Sequence, residues 1–412
     1  MRTRIILTLA LILTGAIGQT SAQHHGRGIF AEPELEVRSD SGAITIPFEL
    51  INNHLIIPIS LGEATFDVIL DTGMPISAVM LYGTDRVDEL DLNFGSMQVG
   101  VAGAGGGDPI SARLAQGETV DVGALRMKNT TLLVMPPLPG MSLYHDGIIG
   151  AALFENFVVG IDYDERKLHL HDPATYTAAE GAVEVPLSFH GPRRVPYADL
   201  KVTMASGQAA DLQVVVDLGA SHTLSLNMDT IEQFAIPAST ISSTIGRGVS
   251  GPVLGRVGRI GGLELGGFAF SDVVATFPIS AHQHPGDMDS KNGNLGSGIL
   301  KRFNVTFDYA SKRMLLEPNN AFEAPFEWDM SGMRLEPVEA GLRIDDLVAG
   351  SPAADAGLAV DDVVTHVDGE PASARNMFEL RNRMQRDGTE IKIRATREGR
   401  SVEVKLTLRR MV

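Results

Sequence analysis

The chain has 412 residues, 44% of them hydrophobic and 21% charged, an ordinary globular composition that excludes a disordered or fibrous protein. It contains no cysteine, which removes disulfides, thiol catalysis and cysteine-ligated metals. A formal net charge of −17 repels phosphate backbones and argues against nucleic acid as a partner.

In chain order, residues 1–22 read as a secretory signal. Arg2 and Arg4 give a positive start, 5–17 is a mostly apolar run of 13 residues, and Thr20, Ser21 and Ala22 supply small residues for cleavage before Gln23. That run is too short to span a bilayer comfortably, and no later stretch is long and apolar enough to cross. The expectation is an exported chain, periplasmic or secreted, with no membrane span once the signal is removed. Residues 23–40 are polar, include His24 and His25, and read as a flexible N-terminus. Beyond 41, short apolar runs at 44–50, 54–61, 65–70, 130–135, 158–163 and 167–170 are separated by Gly, Pro, Asn and Asp. They predict strands, and helical periodicity is scarce until the C-terminal part.

An internal repeat organises this region. The apolar run ending in Asp71, Thr72 and Gly73 reappears as the run ending in Asp217, Leu218 and Gly219, 146 residues later. The same shift carries Gly105 onto Gly251, Gly150 onto Gly296, Phe157 onto Phe303, Asp162 onto Asp308, Tyr163 onto Tyr309 and Lys167 onto Arg313. One constant period across separate blocks is the signature of repeated units. It predicts two lobes, 41–180 and 181–322, followed by a linker at 323–332 that carries Pro325 and acidic residues, with Trp328 packing at the junction.

Residues 333–412 predict a small α+β domain. Leu342, Arg343 and Ile344 open a strand; Ser351 caps a short helix with Pro352 at its first position, and Gly357 closes it. A strand over 362–367 ends in the Asp368, Gly369 turn. Met377, Leu380 and Met384 share one helix face, and 391–396 and 402–408 alternate as strands around Glu398 and Gly399. The expected fold class is therefore mainly β: two barrel-like lobes followed by a small α+β domain.

The repeated Asp carries the chemistry. A strand delivers each carboxylate to a tight turn, where Gly73 or Gly219 allows close approach and the Thr72 hydroxyl can bond neighbouring backbone. A two-fold arrangement brings Asp71 and Asp217 face to face, where they share one proton. The ionised member can take a proton from water while the protonated member donates to a carbonyl. This chemistry needs no metal or other cofactor.

These residues resemble the pepsin and retropepsin family of aspartic peptidases over about 41–320. Asp71, Thr72 and Gly73 are similar to the family's catalytic triplet, and Ile148, Ile149 and Gly150 to the apolar segment packed beneath it; Leu295 and Gly296 are its weaker copy. The resemblance implies an endopeptidase acting on peptide or unfolded protein, with Asp71 and Asp217 catalytic and Thr72, Gly73, Gly219 and Ser221 supporting them. It also implies two flaps over the substrate, at 101–107 (Gly103, Ala104, Gly105) and 246–255 (Gly248, Ser250), as in a fused retropepsin dimer. Two departures stand out. Leu218 replaces the second Thr, and Met74 and Pro75 replace the Ala and Ser that Ala220 and Ser221 keep in the other lobe. The alternative is a catalytically inactive, peptide-binding scaffold of the cell envelope.

The C-terminal part resembles the PDZ family in its bacterial form, on Gly341 to Ile344, Gly350 to Ala353, Ala356 to Leu358, Asp361 to Val364 and Val367 to Gly369. That resemblance implies a peptide ligand added as a strand beside Gly341, Leu342 and Ile344, with the helix around Met377 as the other wall. The family's strand before Gly341 is not evident. His169 with His171, and His282 with His284, lack a third ligand and predict no metal site. Asp287, Asp289, Asn292 and Asn294 read as a solvated loop, and His222 beside Ser221 carries no serine-hydrolase signal.

Overall fold

The computed structural model describes residue 30 and residues 32–39, 44–138, 144–190, 195–279 and 292–412, with the backbone of 6–7. Apart from that backbone, paired with Gln98–Val99, the expected leader lies outside the described residues, as do His24, His25, His282, His284, Asp287 and Asp289. The protein is mainly β with a small C-terminal α+β domain, as its alternation and turn residues predict.

The first lobe is a sheet whose strands run in the order 49–51, 54–61, 64–70, 147–149, 78–82, 125–135, 110–122 and 94–101. The second lobe repeats that order with 188–189, 196–203, 209–217, 293–296, 224–226, 268–278, 251–265 and 240–248. The duplicated sequence is thus a duplicated topology. The lobes join through a six-stranded sheet to which each contributes three strands. At its centre Val158–Asp162 pairs antiparallel with Phe303–Asp308, Gly160 opposite Thr306. Phe154, Phe307 and Tyr309 pack ring against ring behind this seam, and one continuous apolar core runs through both lobes.

Local chemistry explains the elements that place the site. Asn52 and Asn53, with φ of 52° and 66°, form a two-residue hairpin turn, a conformation Asn tolerates. Gly147–Ile149 slots between two strands, parallel to Val68–Leu70 and antiparallel to Val79–Leu81. Gly150 follows because there is no room for more: a Cβ there would stand 2.3 Å from the Asp71 carbonyl oxygen. Its counterpart Gly296 meets the His222 carbonyl oxygen at 2.2 Å in the same way.

Two expectations change. Within the segment read as a flexible N-terminus, Glu34–Val37 forms a strand against Leu125–Lys128, and Glu32 accepts a hydrogen bond from Ser77. Its alternation is too weak to announce a strand; Leu125–Lys128, which extends beyond the pairing of Thr131–Met135 with Ala78–Tyr82, offers the edge that recruits it. The linker is also packed: Phe326 and Met330 are buried, and Glu327 pairs with Arg259 and Arg410. In the C-terminal domain, Met333–Val338 supplies the strand before Gly341 that the sequence did not reveal. Ser351 caps Pro352–Asp355 as predicted, accepting from the Ala354 N–H.

Gly150→Ala should lower stability by about 1–3 kcal/mol through overpacking. A denaturant midpoint equal to wild type would show that the turn beneath Asp71 yields freely.

Candidate active site

Strands 64–70 and 209–217 deliver Asp71 and Asp217 to the same point between the lobes. Each turn holds its own carboxylate: the Gly73 N–H donates to Asp71 Oδ1 at 2.6 Å, and the Gly219 N–H to Asp217 Oδ1 at 2.8 Å. Each glycine also lies against the other lobe's acid. A Cβ on Gly219 would stand 2.4 Å from Asp71 Cγ, and one on Gly73 would stand 3.0 Å from Asp217 Oδ1. The two carboxyl groups thus face one another across the lobe boundary. Burial, and then the Asp217 charge beside it, raise the Asp71 carboxyl well above the usual carboxylate range.

Thr72 ties the two turns together. Its buried hydroxyl donates to the Val216 carbonyl at 2.7 Å and accepts the Leu218 N–H at 2.9 Å. Leu218 cannot return this bond, and its side chain is fully buried in the core. Its carbonyl is held by Ser297 Oγ at 2.9 Å instead. Ser297 falls where the first lobe has Ala151. A hydroxyl lost from one strand end is thus accompanied by one gained beneath it.

The brace on Asp217 differs from the one expected. Ser221 enters the site through its carbonyl, which accepts from Asn53 Nδ2 at 2.7 Å. Asp217 Oδ2 is bonded by Asn294 Nδ2 at 2.6 Å, and Asn294 in turn by His222 Nε2 at 3.1 Å. Neither is legible as functional from local sequence, where Asn294 reads as part of a solvated loop. The signal was available: the 146-residue shift places Asn294 on Ile148 and His222 on Ile76, so a polar pair occupies two apolar slots. His54 is a further residue that sequence reasoning missed. Its Nε2 bonds the Gly219 carbonyl at 3.0 Å and its Nδ1 the Tyr144 hydroxyl at 3.2 Å, fastening the first lobe to the second lobe's turn. Burial, then the nearby His145, lower its basicity to about 4. His169 and His171 stack on Lys167–His171, outside the cavity lining, with His169 bonded to Thr45.

The two Gly-rich hairpins meet over the carboxylates. The Ser250 N–H donates to the Ala104 carbonyl at 3.1 Å, the Gly107 N–H to the Ser250 carbonyl at 2.7 Å, and the Gly103 N–H to Ser250 Oγ at 3.2 Å. A Cβ on Gly248 would stand 2.2 Å from the Ala104 carbonyl oxygen. Gly103, Ala104, Gly105 and Gly248 line the cavity beneath, whereas Ser250 faces away from it and locks one tip to the other.

This cavity, about 650 Å³, continues from the carboxylates to the C-terminal domain, where Arg334, Phe378 and Arg381 line it. Asp346 accepts from Ser243 Oγ at 2.9 Å and from the Thr244 N–H at 3.2 Å, and Arg334 donates to the Thr244 carbonyl at 3.1 Å. Phe378 meets Tyr144 edge to face at 4.8 Å. The peptide-binding assignment to Gly341, Leu342 and Ile344 is corrected here. Gly341–Leu347 lies between Met333–Val338 and Val363–Val367, with Leu342 and Ile344 fully buried. Both its edges are taken, so it cannot accept an added strand; the end strands of this sheet are Met333–Val338 and Arg400–Thr407, and the first of them lines the cavity. At its start, the N–H groups of Ser331 and Gly332 are already held by Asp329.

Residues 57–153 match the family model described as aspartyl protease, and residues 331–408 the model described as PDZ domain. The chain carries an aspartyl protease domain and a C-terminal PDZ domain. The first match covers the strands and turn around Asp71, while neither match reaches the second lobe. Among solved structures, the aspartic proteinase from Irpex lacteus is similar over 68% of this chain and 99% of its own, at 13% identity and a TM-score of 0.41. No curated protein matches the chain.

An acid whose folded-state affinity for protons is raised binds protons that the unfolded chain has already released, so stability falls as pH rises through that interval. Asp71→Asn should therefore raise the thermal midpoint at pH 7, with the difference closing as the pH falls below about 4. A variant less stable than wild type at pH 7 would contradict the buried, mutually repelling pair.

Proposed function

We propose that this protein is an exported aspartic endopeptidase that hydrolyses peptide bonds with a water activated between Asp71 and Asp217. The observation that carries the reading is the pair of half-buried, facing carboxyl groups, one from each lobe, beneath two interlocked hairpins. In the reaction the ionised acid takes a proton from water as the oxygen attacks the peptide carbon. The protonated acid gives its proton to the carbonyl oxygen, forming a tetrahedral diol. The acid that took the proton from water passes it to the amide nitrogen while the other acid takes a proton from a diol hydroxyl; the carbonyl re-forms, the C–N bond breaks, and the dyad again shares one proton.

Substrate binding follows from the cover and the floor. An extended chain threaded under the hairpins meets backbone groups from both tips, and the fixed turns below hold the carboxylates in position without reorganisation. Endopeptidase action is supported by the cavity's continuation past the dyad to the PDZ edge strand, which gives a long chain somewhere to go. We assign to Met333–Val338 the role of pairing with a segment of that chain, with Phe378 on the facing helix as an apolar contact. Because Asp329 occupies the N–H groups at the start of this strand, an internal segment fits better than a free C-terminus. Export to the periplasm or beyond rests on Arg2, Arg4 and the apolar run that follows them.

An inactive scaffold was the other reading, motivated by Leu218 and Pro75. Ser297 and Asn294 now supply bonds to the second turn and its acid, and these favour the active one.

With the mature protein and a peptide library from pH 3 to 8, Asp71→Asn and Asp217→Asn should each reduce kcat by at least about 10²–10⁴-fold, the usual contribution of a general acid or base. Cleavage by either variant at the wild-type rate would refute the dyad. Phe378→Ala should raise KM for long peptides and leave short ones unaffected; equal effects on both would separate the PDZ domain from substrate binding.

A further inference from the structure

The two carboxylates have different backs. Behind Asp217 stands a polar chain: Asn294 Nδ2 lies 2.6 Å from Asp217 Oδ2, and His222 Nε2 lies 3.1 Å from Asn294 Oδ1 and 3.3 Å from the Asn294 backbone oxygen. The first lobe has Ile148 and Ile76 at the corresponding places. These positions are equivalent in the fold as well, since Ile148 pairs with Ile69 in one lobe and Asn294 with Val215 in the other, 146 residues on. An aliphatic pair in one lobe is a hydrogen-bonded pair in the other.

Chemistry fixes the direction of each bond. A backbone carbonyl only accepts, so His222 Nε2 carries a hydrogen. The side-chain atom of Asn294 that faces the same N–H is therefore its oxygen, and its NH₂ group faces Asp217. An amide NH₂ only donates, and so does the Gly219 N–H on the other carboxylate oxygen. Donors on both oxygens favour the charged form of an acid. His222 bears its Nε2 hydrogen whether neutral or protonated, so the orientation of Asn294 does not depend on its charge. The titratable groups around this point are Asp71, His222, His54 and Tyr309.

We infer that Asn294, oriented by His222, makes Asp217 the ionised member of the pair. Asp217 is then the base that takes the proton from water, and Asp71 holds the shared proton and delivers it to the substrate carbonyl. This assignment rests on the aspartic-dyad reading above and gives its two acids fixed roles. Asn294 and His222 are positioning residues, acting through Asp217. The elevated proton affinity of Asp71 runs in the same direction.

Two measurements test it. In kinetics, Asn294→Ile, which copies the first lobe, should lower kcat by about 10–10³-fold with KM nearly unchanged, in line with loss of one donor to a developing charge. It should also move the acid limb of the kcat/KM profile to higher pH. His222→Ile should act in the same direction, and His222→Gln, which keeps a donor, should recover most of that loss. Independently of turnover, carboxyl-carbon NMR of the folded wild-type protein, with signals assigned by their loss in Asp71→Asn and Asp217→Asn, should show the Asp217 signal ionised while Asp71 is still protonated. The reverse order, or an acid limb and carboxyl titration unmoved in Asn294→Ile, overturns the inference. If the wild-type protein cleaves nothing, the hydrolytic reading fails, while the NMR titration still decides which acid is charged.

Discussion

Two like-charged groups brought together inside a protein repel, and the cheapest relief is a shared proton. The rest of this structure depends on enforcing that encounter. Burial disfavours a second negative charge, and the opposed turns prevent the carboxyl groups from moving apart. The inter-lobe sheet, the Thr72 bridge and the His54 latch all hold one lobe's turn against the other's. They act on backbone atoms, so the side chains inherit their position from the fold.

Duplication supplies the encounter, and divergence makes it unequal. An exact two-fold would give both acids the same surroundings and no reason to differ. Here the first turn keeps Thr72 and an aliphatic floor, while the second has exchanged its threonine for Leu218 and acquired Ser297, Asn294 and His222. The hydroxyl lost at Leu218 is met by a bond from Ser297 on a different element, which is possible because a fused chain can alter its halves independently.

The PDZ domain is tied to the same framework. It grips the strand of the second hairpin through Asp346 and Arg334, and through Phe378 it touches Tyr144, which bonds His54. The edge strand that faces the cavity and the helix opposite it therefore sit on parts that also position the cover and the catalytic turn. The carboxyl pair and the PDZ edge strand line neighbouring stretches of one cleft.

Residue order alone determined the duplication, the two acids, the Gly-rich hairpins, and the turns and caps of the C-terminal domain, because each leaves a local or periodic trace: a constant shift, an apolar run ending in Asp and Gly, a Ser before a Pro. What only the tertiary structure decided is who touches whom across the chain. Asn294 reaches Asp217 over 77 residues and His54 reaches Gly219 over 165; the repeat marks Asn294 as polar in an apolar slot, but it does not name the atom that Asn294 meets. The same limit misplaced the peptide edge, since Gly341, Leu342 and Ile344 read as a strand in sequence, but whether a strand is central or at an edge depends on its neighbours, and Met333–Val338 covers it.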